Sequence, residues 1–129
     1  MVRDTRLSIH KTINRKLPRL PFFDIKNAIL GKNYELSLVF IGDKRAQTLN
    51  KRYRKKNYIP DVLTFPYSDT QGEIFINPLQ AHKNAKGFDM NEKKFITYLF
   101  IHALLHLKGL RHSSTMDTVE LAYLRRFYH

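Results

Sequence analysis

The chain contains no cysteine and no tryptophan among its 129 residues. The absence of cysteine excludes disulfide bridges and thiolate ligands, so any bound metal ion must be held by nitrogen or oxygen atoms. Glycine and proline are scarce, at five each, and no linker-like tract divides the sequence. A chain of this length with 43% apolar residues predicts a single folded domain over residues 1–129.

Long apolar runs are also missing. The longest, over residues 36–41, is far too short to span a membrane. The beginning of the sequence carries charges at Arg3, Asp4 and Arg6 with no apolar segment behind them, which is unlike a secretory signal. We therefore expect a soluble, cytoplasmic protein with no membrane partner.

Acidic residues are few, and the charge is unevenly distributed. The chain has 23 Lys and Arg against 11 Asp and Glu, a net charge of +12. Residues 1–60 hold 15 of these basic residues and 4 of the acidic ones, or +11, whereas residues 61–129 hold 8 and 7, or +1. Such a field attracts polyanions, of which nucleic acid is the commonest in cells; a solvated surface and an anionic membrane are the alternatives.

The spacing of apolar residues predicts both strands and helices. Strands are predicted over residues 5–11, 34–41, 62–66 and 73–77. Helices are predicted over residues 21–30, 43–53, 78–86, 91–108 and 115–127. Gly31 and Gly109 are helix stop signals, Asp43 is the expected N-cap of the second helix, and 68–72 is an expected turn. Strands and helices mix without strict alternation, which favours an α+β fold.

The string HALLHLKGLRH, from His102 to His112, contains three histidines. His102 and His106 lie four residues apart on a predicted helix, so their rings project from one face. Gly109 can adopt a left-handed conformation that turns the chain and brings His112 back towards them. Three imidazoles leave one tetrahedral position open, as in catalytic zinc sites. Nickel or another divalent ion, or simply a packed helix end, are the alternatives.

One residue expected of a zinc protease is missing. The protease motif has a glutamate directly after its first histidine, and Ala103 occupies that position. Peptide hydrolysis needs this carboxylate to carry a proton to the leaving amine. Phosphodiester cleavage depends mainly on stabilising negative charge, which a metal ion and an arginine can do. The pattern therefore favours a phosphodiester substrate over a peptide.

A basic cluster lies in the segment LNKRYRKKNYIPDVLTF, at the end of a predicted helix. Its members surround Tyr53 and are Lys51, Arg52, Arg54, Lys55 and Lys56. Arginine can bind a phosphate through two parallel hydrogen bonds, which lysine cannot imitate. We expect the cluster to contact a polyanion such as nucleic acid; a solvated helix end is the alternative.

Together, these stretches resemble one protein family. HALLHLKGLRH resembles the three-histidine motif of the YbeY-type endoribonucleases, the bacterial ribosomal-RNA maturation factors. LNKRYRKKNYIPDVLTFP resembles their second signature, and GEIFI, which begins at Gly72, is similar to the strand that follows it in the family. The resemblance covers residues 49–116.

The resemblance implies a small mixed sheet of about four strands surrounded by helices, with the metal site on a C-terminal helix and the loop after it. It implies a metal-dependent, single-strand-specific endoribonuclease that acts in 16S rRNA 3′-end maturation and ribosome quality control, with the ribosome or ribosomal proteins as partners. His102, His106 and His112 would hold one zinc ion per chain, and Arg54 and His112 would be catalytic. Asp61 and Glu73 are candidate proton acceptors or partners of the ligands, with structural roles as the alternative.

Four positions depart from the family pattern. Ala103 replaces a glycine, Arg111 an aspartate, Pro60 a threonine and Glu73 an aspartate. Two other functions stay open from the sequence. One is a non-catalytic, zinc-stabilised module that binds rRNA or the ribosome. The other is a metallohydrolase of another substrate, which predicts a carboxylate beside the open metal position. Whether water or the RNA 2′-hydroxyl attacks is also open.

Overall fold

A computed structural model of the protein describes residues 6–128. Its elements are β1 (Leu7–Lys11), α1 (Phe22–Leu30), β2 (Glu35–Phe40), α2 (Asp43–Arg54), β3 (Val62–Ser68), β4 (Gln71–Ile76), α3 (Pro78–Ala85), a short 3₁₀ turn (Lys86–Phe88), α4 (Glu92–Leu107) and α5 (Ser114–Phe127). Every predicted strand and helix is present, with ends shifted by a few residues. Residue 5, the predicted start of the first strand, lies outside the described residues.

The strands form one sheet in the order β1-β2-β4-β3. β2 is parallel to both of its neighbours, whereas β3 is antiparallel to β4. The predicted α+β fold with a mixed four-stranded sheet is thus confirmed. None of the helices in the described part of the chain is long and apolar enough to cross a membrane.

The two faces of the sheet bury different side chains. Leu36, Leu38, Ile74 and Ile76 project to one face and join the main core, which α1, α3, α4 and α5 cover. Among the described helices, α2 packs on the opposite face, where a smaller cluster includes Val39, Leu63 and Phe75 from the sheet. The alternation of side chains along each strand therefore decides which face a residue serves.

The main core is organised around α4. Nine of its 16 residues are buried, as expected for a helix with neighbours on several sides. The side chain of Asn91 accepts a hydrogen bond from the Lys94 N–H at 2.8 Å and caps its start. At its end Gly109 has φ +104°, and the Leu110 N–H donates to the Leu105 carbonyl at 3.0 Å. The predicted glycine stop is confirmed.

One local prediction was wrong, and another was only partly right. Gly42, rather than Asp43, is the N-cap of α2, because the carboxylate of Asp43 instead accepts a hydrogen bond from the Asn77 amide at 2.7 Å. The predicted turn over 68–72 shrinks to residues 69 and 70, because β3 continues through Pro66 to Ser68 with an irregular register between these two residues. Proline is tolerated there because β3 is an edge strand.

Candidate metal centre

The three histidines of the motif meet at one point. His102 and His106, one helical turn apart on α4, place their Nε2 atoms 3.0 Å from each other. One nitrogen of His112, from the loop beyond Gly109, joins them so that the three candidate ligand atoms lie within 4.8 Å of one another. Nitrogens bound to one tetrahedral zinc ion at 2.0–2.1 Å lie about 3.3 Å apart. Small movements of the three imidazole rings would therefore allow their nitrogens to coordinate one ion.

The second nitrogen of two of these rings is already held. His102 Nδ1 lies 2.5 Å from the Glu120 carboxylate, and His106 Nδ1 lies 3.2 Å from the Leu110 carbonyl oxygen. When the Nδ1 proton of each ring is donated to these oxygens, the Nε2 lone pair is left for a metal ion. Metal-binding histidines are oriented in this way in proteins. The donor set of three imidazoles suits zinc, nickel or a similar divalent ion.

Glu120 is a site residue that the sequence analysis missed. It lies on α5 and is only 3% exposed. The Tyr98 hydroxyl also bonds to it, and burial followed by the Glu120 charge raises the pKa of Tyr98 to about 12. A signal was present in the sequence, because Glu120 interrupts an apolar stripe of α5 formed by Met116 and Leu124 at four-residue spacing. A charged residue on such a stripe needs a buried partner.

The pKa of His106 is lowered. Burial is the largest cause, followed by the neighbouring His102 and His112 rings. The imidazole is therefore favoured in its neutral form. Neutral imidazole is the form that binds a metal ion, so burial favours the state of His106 that can act as a ligand.

The histidines form one wall of a cleft of about 430 Å³. The opposite wall contains Arg54, Tyr58, Asp61 and residues of β3. The Arg54 guanidinium donates to the Tyr58 hydroxyl at 3.0 Å and to the Asn50 side-chain oxygen at 3.3 Å. Asn50 is buried, and its own amide donates to the Tyr58 carbonyl at 3.0 Å. Asn50 and Arg54 therefore share one helix face at four-residue spacing, and the arginine lines the same cleft as the histidines.

Comparison with known proteins matches the chain to a family. The model of the family Endoribonuclease YbeY matches residues 3–128. This chain belongs to the YbeY family. Relatives named Endoribonuclease YbeY include one from Thermodesulfovibrio yellowstonii, 31% identical over 81% of this chain and 66% of the relative. Another, from Finegoldia magna, is 35% identical over 67% of this chain and 61% of the relative.

A solved structure agrees with the fold. The solution structure of a protein from Thermotoga maritima has a TM-score of 0.64 and 24% identity, over 92% of this chain and 87% of that one. This likeness bears on the fold alone. The alignments with the first curated relatives span 57% to 66% of the relatives' own length. The family and the fold expected from the sequence motifs are thereby confirmed.

The other candidate residues divide into two groups. Lys51, Arg52, Lys55 and Lys56 are exposed around the end of α2, beside the cleft rather than among its lining residues. Asp61 does line the cleft, and its carboxylate accepts a hydrogen bond from the Asn84 amide at 3.1 Å. This basic surface and Asp61 are thus near the histidines.

Glu73 is not brought to the cleft. It projects from β4 on the same side as Phe75, where its carboxylate accepts hydrogen bonds from the Tyr67 hydroxyl at 2.6 Å and the Ser37 hydroxyl at 3.1 Å. Its neighbours Ile74 and Ile76 project towards α4 instead. For a direct contact with a histidine ligand, Glu73 would have to project from the other face of the sheet.

The positions that depart from the family pattern have clear surroundings. Ala103 is fully buried in the main core, at 0% exposure. A glutamate there would face the core and not the cleft, so in this chain the protease position is not placed to supply a base. Pro60 is buried, and its carbonyl accepts a hydrogen bond from Asn77 at 3.3 Å. Arg111 is exposed beside His112.

Proposed function

We propose that this protein is a metal-dependent endoribonuclease that cleaves single-stranded RNA in the cleft between the histidines and the end of α2. The observation that carries the proposal is that three histidine nitrogens lie within 4.8 Å of one another and face a buttressed Arg54 across one cavity. One zinc ion per chain is the proposed cofactor, with His102, His106 and His112 as its ligands. Membership of the YbeY family supports the activity.

The residues of the chain have separate tasks in this proposal. When bound, the ion would supply Lewis acidity and an activated nucleophile at neutral pH. Arg54, fixed by Tyr58 and Asn50, holds a non-bridging phosphate oxygen and stabilises the charge that accumulates on it. Glu120 keeps the His102 ring in its ligand orientation. Asp61, in the wall of the same cleft, is the candidate proton acceptor.

A single strand is the proposed form of the substrate. The exposed lysines and arginines at the end of α2 carry much of the excess of +11 in residues 1–60 and would neutralise phosphates on either side of the cut. A cleft of about 430 Å³ suits an extended strand with accessible bases better than a duplex, whose bases are stacked and paired.

The cellular role is proposed from family membership. The protein would act as one cytoplasmic domain on ribosomal RNA, in 16S rRNA 3′-end maturation and ribosome quality control, in contact with the ribosome or ribosomal proteins. The family match over residues 3–128 and the basic first half of the chain support an rRNA substrate.

The experiment has a metal part and a cleavage part. Plasma mass spectrometry should find about one zinc ion per native chain and much less in His106→Ala. Cleavage of a labelled single strand should be lost in His106→Ala and reduced about 100-fold or more in Arg54→Ala, but not in Arg45→Ala, which removes an exposed arginine earlier on α2.

The outcomes separate the rival functions. RNA binding without cleavage by the zinc-loaded native protein would indicate a non-catalytic rRNA-binding module. Cleavage of another substrate class, with RNA untouched, would indicate a different metallohydrolase. Cyclic phosphate ends on the products would identify attack by the 2′-hydroxyl, and 5′-phosphate ends would identify attack by water.

A further inference from the structure

Part of the second sheet face is left uncovered by α2. Along β2 and β4, Val39 and Phe75 are buried beneath that helix, whereas Glu35 and Gln71 at the other ends of these strands are exposed. At the boundary between the covered and uncovered parts lies a cavity of about 260 Å³. This cavity is on the side of the sheet away from the histidines.

Aromatic rings dominate the lining of this cavity. Tyr53, Phe65 and Phe75 follow one another edge to face, with centroid distances of 5.6 Å and 5.7 Å, and Tyr67 also lines the cavity. Although these rings form one cluster, Tyr53 and Tyr67 are 59% and 60% exposed. Two exposed rings at the mouth of an aromatic cavity can stack on a flat apolar ligand.

One charged group lies in the same cavity. The Glu73 carboxylate lines it and is fixed by hydrogen bonds from Tyr67 at 2.6 Å and Ser37 at 3.1 Å. Each carboxylate oxygen still has acceptor capacity, because a carboxylate offers about four lone-pair sites. The ligand should therefore be flat, aromatic and able to donate hydrogen bonds at its edge. A negative carboxylate also disfavours a phosphate group at this position.

We propose that this aromatic cavity binds one unpaired base of the RNA strand whose backbone lies in the histidine cleft, with preference for a base that carries an amino group. This inference rests on the proposed function and adds a subsite to it. Guanine, adenine and cytosine offer amino donors to Glu73, whereas uracil offers none. A cavity of about 260 Å³ is small for a ligand pocket and suits a single base.

The two sites are joined by the edge strand β3. Thr64 and Pro66 of this strand line the histidine cleft, whereas the intervening Phe65 and the following Tyr67 line the aromatic cavity. The cleft and the cavity therefore lie on opposite sides of one strand at the margin of the sheet. An RNA strand that passes over this margin reaches both.

The end of α2 lies along the same route from the histidine cleft to the aromatic cavity. Arg54 lies in the cleft and its neighbour Tyr53 in the aromatic cavity, and the Arg52 guanidinium lies 5.5 Å from the Tyr53 ring centre. Lys55 and Lys56 follow directly and are exposed. Positive charge thus flanks the route between the two sites, which favours RNA over an apolar protein side chain as the occupant.

Binding of two RNA lengths to the zinc-free protein tests the subsite without cleavage. Fluorescence anisotropy would compare a strand of about four nucleotides, which fills the cleft alone, with one of about ten, which can reach the cavity. Tyr53→Ala and Tyr67→Ala should each weaken binding of the longer strand about 5- to 100-fold and leave the shorter one nearly unchanged. Tyr53→Trp, which keeps a stacking ring, should retain the longer strand's affinity.

Matched variants make the test specific. Phe23→Ala removes a ring from α1 that is 41% exposed, and it should bind both strands as the native protein does. Glu73→Gln should remove the preference for an adenine-rich or cytosine-rich strand over a uracil-only strand. A photoreactive purine in the longer strand should cross-link to Tyr53 or Phe65, as identified by peptide mass spectrometry.

The results separate failure of the subsite from failure of the proposed function. If Tyr53→Ala and Tyr67→Ala bind the longer strand like the native protein while the native protein cleaves RNA, the subsite is refuted and the nuclease stands. Equal losses in Phe23→Ala would also refute it. A zinc-loaded native protein that neither binds nor cleaves RNA overturns both proposals.

Discussion

Replacing Glu120 by glutamine tests how the candidate metal centre is held together. The substitution keeps the shape of the side chain and removes its charge. Glu120 is 3% exposed and its carboxylate lies 2.5 Å from Nδ1 of His102. We expect the variant to fold and to bind zinc more weakly, because the His102 ring loses the acceptor that directs its Nε2 towards the other histidines.

The magnitude follows from two opposing effects. Loss of a carboxylate behind a histidine ligand costs about 10- to 100-fold in metal affinity, equivalent to about 1.4–2.7 kcal/mol of binding free energy. In the metal-free protein the same carboxylate is a buried charge whose desolvation offsets much of its attraction to His102 and Tyr98. The free energy of unfolding without metal should therefore change by less than about 1 kcal/mol.

The assay measures both quantities. Zinc affinity is determined by competition with a chromophoric chelator, and metal-free stability by urea unfolding in the presence of a chelator. Asp117→Asn, which neutralises an exposed carboxylate one turn earlier on α5, is the control and should keep native zinc affinity. Zinc affinity of Glu120→Gln within twofold of native would refute the positioning role, and a loss confined to metal-free stability would make Glu120 a structural residue.

Three further predictions concern the scaffold. Gly72→Ala should destabilise the fold by about 1–3 kcal/mol, because the added methyl would clash with the Tyr34 hydroxyl and lie 2.9 Å from Leu107. Tyr34→Phe should recover part of this loss, and strict additivity of the two substitutions in a double-mutant cycle would contradict the clash. The hydrogen bond to Glu73 raises the pKa of Tyr67 from 10.0 to about 12, so the unfolded chain releases this proton at lower pH than the folded protein and the free energy of unfolding should fall between pH 10 and 12. Tyr67→Phe should flatten that part of the stability curve in urea titrations, and an unchanged slope would argue against this role of Tyr67. Ala103→Glu should cost at least about 3 kcal/mol in urea unfolding, because it buries an unpaired charge, and should create no peptidase activity in a casein assay.

Much of the fold was predictable because local signals agreed with the tertiary structure. The alternation in the strands and the apolar spacing of α4 gave the correct element types, and Gly109 marked a real left-handed helix end. The meeting of the three histidines followed from their spacing together with this glycine. The position of Arg54 relative to the histidines could be seen only in the folded structure, because β3, β4 and α3 lie between α2 and α4 in the sequence.

Some contacts could not be inferred because the sequence does not say which sheet face a helix covers. β4 ends in three consecutive apolar residues, Ile74 to Ile76, so its pattern is compatible with packing of α4 on either face of the sheet. The actual choice turns Glu73 away from the histidines. Asp43 illustrates a different limit, because an Asn77 distant in sequence competes for the carboxylate that would otherwise cap its helix.

The proline of β3 has a consequence for the behaviour of the protein at high concentration. An open sheet margin normally offers a row of free N–H and C=O groups to which a strand of a second molecule can add. Pro66 removes one N–H from that row, and the irregular register between Pro66 and Ser68 disturbs the spacing of the rest. The β3 margin is thus poorly suited to strand addition, and we expect no strand of a second molecule to pair with it, even where neither helix nor loop shields it.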